Sequence, residues 1–195
     1  MAGIPTLVFI RHGQTDWNVE GRLQGQRDIP LNDIGRAQAR RNGEVVAKHI
    51  PEAAGFDFIA SPLSRARETM EIVRTALNLD PAGYEVDSRL LELTFGELEG
   101  LTYRDLETRD PGWASMRDSN KWDFLPPGGE SYHMLSVRII GWVETLERPS
   151  VVVAHGGVGR VLRAHLLGLD KLASVSADFP QDRVFLWRDG VGEWV

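Results

Sequence analysis

The chain contains no cysteine, and this absence excludes several kinds of chemistry at once. Disulfide bonds, thiolate nucleophiles and zinc sites built on cysteine all need a thiol that this sequence does not supply. Long apolar runs are missing as well, since no stretch approaches the roughly 20 residues that a membrane-spanning helix requires. The N-terminal apolar run is too short for a secretory signal, so we expect a cytoplasmic protein without a membrane partner.

An excess of positive charge is also lacking. The formal net charge is −6 at pH 7, from 22 Lys and Arg against 28 Asp and Glu. Broad binding to nucleic acids depends on a surplus of cations, so no nucleic-acid partner is expected. The hydrophobic fraction of 42% is enough for a sizeable core. The length predicts a single domain over 1–195, with a small lid-like excursion at about 102–126 where the helical pattern weakens.

Two stretches of the chain share one arrangement, in which an apolar run ends at a histidine followed by glycine. The first reads TLVFIRHGQTDWN from Thr6, and the second reads SVVVAHGG from Ser150. Short β-branched and aromatic runs of this kind are typical of strands buried on both faces. Such strands would carry His12 and His155 at their C-terminal ends, where open α/β sheets bind ligands. If the strands are neighbours, the two imidazoles face one pocket.

The rest of the chain alternates between strand and helix patterns. Three further strands are predicted, at 56–60, at 84–87 as a short edge strand, and at 183–187 as the closing strand. Helices are predicted to follow three capping sites, which are Asn32 or Asp33, Ser61-Pro62 and Ser131, and a fourth helix is predicted to open at residues 156–159. This alternation predicts an α/β fold, a three-layer α/β/α sandwich.

Several enzyme signatures are absent, including the GxxxxGK phosphate loop, the GxSxG serine elbow and the HExxH zinc helix. A metal site built from His12, His155 and carboxylates is left open, although the histidines show no paired ligand spacing. The arginine, the histidines and the glycine-rich helix openings at the strand ends suit a phosphate group. A neutral imidazole can attack phosphorus if its other nitrogen is held as a donor, and a glutamate can protonate the leaving alkoxide.

Arg65 and Arg67 lie two apart on a predicted helix, so only one of them can face such a pocket. The pattern by itself favours a solvated, salt-bridged helix surface for both side chains. The region from Thr102 to Phe124 has aromatic residues interspersed with charges, which predicts a short helical segment that covers either core or ligand.

Four segments in order resemble the motifs of the histidine phosphatase superfamily, and more narrowly of its phosphoglycerate mutase-like branch. They read FIRHGQTDWN, SPLSRARET, LLELTFGELEG and VVAHGG, and they span most of the chain. The resemblance implies that His12 is a nucleophile that becomes phosphohistidine, that Glu92 is the proton donor, and that His155 stabilises the transferring phosphoryl group. It implies phosphate or substrate contacts for Arg11, Asn18, Gln24, Gly25, Arg65 and the backbone N–H of Gly156. It implies no metal and no cofactor, and structural or solvated positions for Arg67, Glu97 and Glu99.

The activity implied by the resemblance is a choice among three. Family mutases insert a longer basic segment after the glutamate motif, whereas here the basic residues of that region are mixed with acidic ones and followed by PPGGES. We therefore expect a phosphomonoester phosphatase acting on a small phosphorylated metabolite, with phosphoglycerate mutase as the alternative. A non-catalytic phosphate-binding or scaffolding module is a second alternative, and a homodimer is compatible with the sequence. Substrate selection is expected from the segments 17–29 and 113–124.

Overall fold

A computed structural model describes residues 3–195 of the chain. Its strands are β1 (Leu7–Arg11), β2 (Asp57–Ala60), β3 (Glu85–Val86), β4 (Ser150–Ala154), β5 (Val184–Arg188) and β6 (Val191–Trp194). They form one sheet in the order β3-β2-β4-β1-β5-β6. The first four strands are parallel, while β5 and β6 are antiparallel to their neighbours.

Helices connect and cover these strands. They are α1 (Asp16–Val19), α2 (Asp33–His49), α3 (Ser64–Ala76), α4 (Tyr103–Arg109), α5 (Trp113–Ser119), α6 (Tyr132–Val143), α7 (Gly156–Leu167) and α8 (Lys171–Ser176). Short 3-10 turns lie at Pro51–Gly55, Ser88–Leu90 and Gly96–Leu98. Within residues 3–195, no helix combines the length and the apolar character needed to cross a membrane.

The side chains of β1 alternate between two cores, because successive residues of a strand point to opposite faces. Leu7 and Phe9 pack in the core that contains residues of α6 and α7, whereas Val8 and Ile10 pack in the core of α2 and α3. Helices therefore cover both faces of the sheet, and the predicted three-layer α/β/α sandwich is confirmed.

The two strands that end in histidine are neighbours, as the repeated pattern suggested. In the parallel pair of β1 and β4, Arg11 lies opposite Ala154, so His12 and His155 follow at the same edge of the sheet. The backbone N–H of His12 donates to the carbonyl of Ala154 over 2.9 Å, which extends the hydrogen-bond ladder one residue beyond β1. The imidazole centroids are 5.1 Å apart.

The helix starts predicted at Asn32 and Ser131 are confirmed, whereas the start predicted at Ser61 is wrong. Asn32 accepts the N–H of Gly35, and Ser131 caps α6 in the same way. The start predicted at Ser61 is wrong, because α3 begins at Ser64. Ser61 still belongs to the extended chain, since its backbone N–H donates to the carbonyl of Val153 on β4.

The C-terminal hairpin was not predicted. Strand β5 turns through Asp189 and Gly190, whose φ angles are 51° and 80°, and returns as β6 along the sheet edge. An Asp-Gly pair with positive φ at both positions is a favoured two-residue hairpin turn. The closing strand at 183–187 is thus followed by a further, antiparallel one.

The segment predicted as an excursion contains α4 and α5. Trp113 is buried there, and it packs with Leu23 and Leu106 in a small core of its own, with Phe124 at its border. The rings of Tyr103 and Trp113 form an edge-to-face pair with their centroids 5.5 Å apart. The aromatic side chains therefore cover this local core, while a role of the segment as a lid stays a prediction.

Candidate active site

A cavity of about 140 Å³ opens at the edge of the sheet where β1 and β4 end. Except for His155, every residue predicted to belong to the site lines this cavity; these are Arg11, His12, Asn18, Gln24, Gly25, Arg65, Glu92 and Gly156. Its walls also include residues that the sequence did not single out for this pocket, namely Leu23, Leu93, Phe95, Tyr132 and Arg160, together with Arg22 from the predicted selection loop.

The two nitrogens of the buried His12 ring have different partners. Nδ1 lies 2.7 Å from the carbonyl oxygen of Gly13, which can only accept, so Nδ1 carries the proton. Nε2 accepts a hydrogen bond from Nε of Arg65 over 3.2 Å and therefore keeps its lone pair. Burial, and then the charges of Arg65 and Arg11, hold the pKa of His12 well below its usual 6.5. The ring is thus a neutral imidazole whose unprotonated nitrogen is Nε2.

Arg65 is only 1% exposed and is held at all its nitrogens. Besides bonding His12, it donates to the backbone carbonyls of Gly25 and Arg27 over 2.8 and 2.7 Å. Burial lowers the pKa of Arg65 to about 10, so it remains a cation at neutral pH. Arg67 points outward and donates to the hydroxyl of Tyr84. The surface position that the helical pattern favoured for both arginines is therefore wrong for Arg65.

Arg11 enters the cavity from the end of β1. Its Nη1 donates to the carbonyl of Phe179 over 2.7 Å, and its buried Nε has no protein partner within residues 3–195. Gly156, at the start of α7, lies against it, and a Cβ at Gly156 would come within 3.3 Å of that Nε. Burial and the nearby charge of Arg160 lower the pKa of Arg11. A helix N-terminus and a buried guanidinium thus meet where an anion would be favoured.

Three glutamates of one motif occupy three different environments. Glu92 lines the cavity, and its carboxylate accepts the N–H groups of Gly157 and Leu93 over 2.9 and 3.0 Å. A Cβ at Gly157 would lie 2.4 Å from this carboxylate, so the close approach needs glycine. Glu97 is exposed, whereas the side chain of Glu99 is buried and accepts three hydrogen bonds from neighbouring loops. Among the three, Glu92 is the carboxylate in the cavity.

Two amide side chains, those of Asn18 and Gln24, line the cavity, and hydrogen bonds fix the orientation of Asn18. Oδ1 of Asn18 accepts hydrogen bonds from the N–H of Thr15 and from Nε2 of Gln181, each over 3.1 Å, and its Nδ2 has no hydrogen-bond partner among residues 3–195. Gln181 also donates to the carbonyl of His12. Gln24 is 8% exposed at the cavity wall. Gln181 thereby links the loop that follows β1 to the C-terminal part of the chain through hydrogen bonds.

Three polar residues at the site were not predicted from the sequence. Ser61 places its hydroxyl 2.7 Å from Nε2 of His155. Arg160 stands one helical turn after Gly156, so both lie on the same face of α7, and this i to i+4 spacing is the signal that could have revealed it. Tyr132 lies within 3.4 Å of Arg160, and burial raises the pKa of its hydroxyl. Within residues 3–195, no three His, Asp or Glu side chains are grouped to hold a metal ion.

A neutral imidazole beside the buried Arg65 and the partly buried Arg11, with a carboxylate and a helix N-terminus in the same cavity, suits an enzyme that transfers phosphoryl groups. The model of the histidine phosphatase superfamily (branch 1) matches residues 7–181. The chain belongs to that superfamily, and the resemblance of the four sequence motifs is confirmed.

Relatives include both phosphatases and mutases. A glucosyl-3-phosphoglycerate phosphatase of Mycolicibacterium vanbaalenii is 38% identical over 178 residues, which cover 84% of this chain and 74% of the relative. A probable phosphoglycerate mutase of Salmonella paratyphi C is 36% identical, covering 83% and 74%. The structure of a mycobacterial glucosyl-3-phosphoglycerate phosphatase with vanadate superposes with a TM-score of 0.80 at 31% identity, covering 98% of this chain and 96% of that one. A phosphatase fits these findings best, and the predicted class of phosphoric monoester hydrolase is confirmed.

Proposed function

We propose that the chain hydrolyses small phosphomonoesters through a phosphohistidine formed on His12. One observation supports this most strongly. The Nδ1 proton of His12 is bonded to Gly13, and its Nε2 lone pair is directed at Arg65, so the nucleophile is formed and aligned before substrate arrives.

In the first half of the reaction, Nε2 of His12 bonds to phosphorus while the bond from phosphorus to the ester oxygen breaks. The leaving oxygen takes the proton of the Glu92 carboxyl group, and Arg11 and Arg65 stabilise the charge on the phosphoryl oxygens. In the second half, water attacks the phosphohistidine and gives a proton to the Glu92 carboxylate. Inorganic phosphate leaves, and the neutral His12 is restored.

Arg160 supports a narrower substrate class. Its Nε donates to the carbonyl of Ala177 and its Nη1 lies 3.4 Å from the Tyr132 hydroxyl, but no carboxylate within residues 3–195 pairs with it. Arg11 and Arg65 already match the two charges of a phosphoryl group, so a third cation in the cavity suits an anionic group on the alcohol part. Phosphoglycerate, which appears in the name of the mycobacterial relatives, combines a phosphate ester with a carboxylate.

A substrate panel tests this proposal. We expect release of phosphate from p-nitrophenyl phosphate, glycerol 3-phosphate and 3-phosphoglycerate, with a preference for the carboxylate-bearing ester over its neutral analogue. Efficient isomerisation of 3-phosphoglycerate that depends on a bisphosphate primer would assign a mutase instead. If no ester is hydrolysed or isomerised, the result would favour the non-catalytic phosphate-binding module. A cytoplasmic location and a homodimer remain proposals from the sequence.

A further inference from the structure

Ser61 and His155 form a fully buried polar pair at the back of the site. The Ser61 hydroxyl lies 2.7 Å from Nε2 of His155, and both residues are 0% exposed. Ser61 has no capping role, because α3 begins three residues later. Its backbone is fixed by the bond to Val153, so the hydroxyl is presented to His155 by the sheet itself.

The other nitrogen of His155 is unsatisfied. Nδ1 is buried and has no hydrogen-bond partner within residues 3–195. Buried polar atoms are seldom left unpaired, and each exception calls for an explanation, of which a role in the reaction is one. Because Nε2 is engaged with Ser61, Nδ1 is the nitrogen of His155 that can meet a phosphoryl oxygen.

The direction of the Ser61 bond decides what Nδ1 offers to that oxygen. If the hydroxyl donates to Nε2, the proton of the neutral ring resides on Nδ1, which becomes a donor. If Nε2 donates to the hydroxyl, Nδ1 presents a lone pair, which repels an anion. Only the first arrangement stabilises a phosphoryl group next to His12.

We propose that Ser61 is a positioning residue. Its hydroxyl donates a hydrogen bond to Nε2 of His155, and this keeps the single N–H of the neutral ring on Nδ1, where it can donate to the phosphoryl group. This inference rests on the proposed function for the identity of the ligand. The two histidines then have different hydrogen-bond roles. The His12 ring donates from Nδ1 to Gly13 and keeps Nε2 for attack, whereas the His155 ring accepts a hydrogen bond at Nε2 and donates from Nδ1.

The direct test is the tautomer of His155, measured by long-range ¹H–¹⁵N NMR on protein labelled at histidine, with His155→Ala for assignment. The wild type should show a protonated Nδ1 and an unprotonated Nε2. In Ser61→Ala the Nε2-protonated form should become populated, and kcat for p-nitrophenyl phosphate should fall about tenfold, the effect of one orienting hydrogen bond. Vanadate, used as a transition-state mimic, should bind correspondingly more weakly.

Ser150→Ala is the matched control. Ser150 is 1% exposed on the same strand that leads to His155, but its hydroxyl bonds the carbonyl of Arg148 at the opposite end. That variant should leave the His155 tautomer and kcat as they are in the wild type. In a His155→Ala background, adding Ser61→Ala should cause little further loss, because Ser61 acts through the ring.

Three results would overturn the proposal. They are an Nε2-protonated His155 in the wild type, an unchanged tautomer in Ser61→Ala, and a full additional loss in the double variant. The wild-type spectrum decides the first of these even if Ser61→Ala fails to fold. A wild type that hydrolyses no ester would instead refute the proposed function, and the tautomer would still report on Ser61.

Discussion

Nε of Arg65 donates a hydrogen bond to Nε2 of His12 over 3.2 Å, so the arginine is bonded to the nitrogen that attacks phosphorus in the proposed reaction. In the free enzyme this bond orients the imidazole. In the proposed reaction, the guanidinium exchanges this contact for the phosphoryl oxygens when substrate binds, which frees the lone pair of Nε2 for attack on phosphorus. One side chain thereby links alignment of the nucleophile to recognition of the anion.

Arg65→Met should lower kcat/KM for p-nitrophenyl phosphate by about 10²–10³-fold, as expected for removal of a donor aimed at developing charge. Arg65→Lys should recover little of the loss, because an ammonium cannot reproduce the fork of bonds to Gly25, Arg27 and His12. Arg67→Met, on the outer face of the same helix, is the control and should retain most activity. Similar losses for the two methionine variants would contradict this assignment.

Glu92→Gln should slow alkyl phosphates far more than aryl phosphates, because a phenolate leaves with little help from an acid. Steady-state kinetics on glycerol 3-phosphate and p-nitrophenyl phosphate measure the difference. Glu97→Gln serves as the control, since Glu97 is exposed and lies outside the cavity. An equal loss on both esters would mean that another group supplies the proton.

Arg160→Met should reduce the preference for a carboxylate-bearing substrate. The quantity to measure is the ratio of kcat/KM for 3-phosphoglycerate to that for glycerol 3-phosphate. The ratio should fall about tenfold or more, the scale of one lost charge-assisted hydrogen bond. A ratio that stays constant while both rates fall would place Arg160 on the phosphoryl group instead.

The low pKa of His12 predicts how the site responds to acid. Burial lowers the folded-state pKa below the unfolded value of about 6.5, so protons bind preferentially to the unfolded chain. The resulting loss of stability begins as the pH falls through about 6.5 and continues down to the folded pKa. NMR titration should find His12 and His155 still neutral at pH 6.5. A midpoint at or above that pH in either ring would contradict the burial argument.

The local signals of the chain predicted its fold well. Apolar runs defined the buried strands, and Asn32 and Ser131 capped the helices that followed them. The start of α3 was predicted three residues too early, because a serine followed by proline is typical of a helix N-terminus. The backbone N–H of Ser61 had already been taken by Val153 of β4, a sheet partner that no local pattern reveals.

The parts of the site that depend on contacts between residues far apart in the sequence could not be predicted. Phe179 holds Arg11, and Gln181 holds Asn18 and the backbone of His12, across separations of more than 160 residues. The motifs place the groups that carry the chemistry, but the C-terminal segment that supports them contains no motif. These supporting contacts became visible only with the chain folded.

The phosphohistidine itself tests the central claim most directly. Rapid quenching of the wild type in alkaline detergent during turnover of a ³²P-labelled monoester, followed by peptide mapping under alkaline conditions, should recover label on the peptide that contains His12, and that label should be lost in acid. His12→Ala should fold, as judged by circular dichroism, and should trap no label. Label on another residue, or full turnover by the alanine variant, would contradict the account.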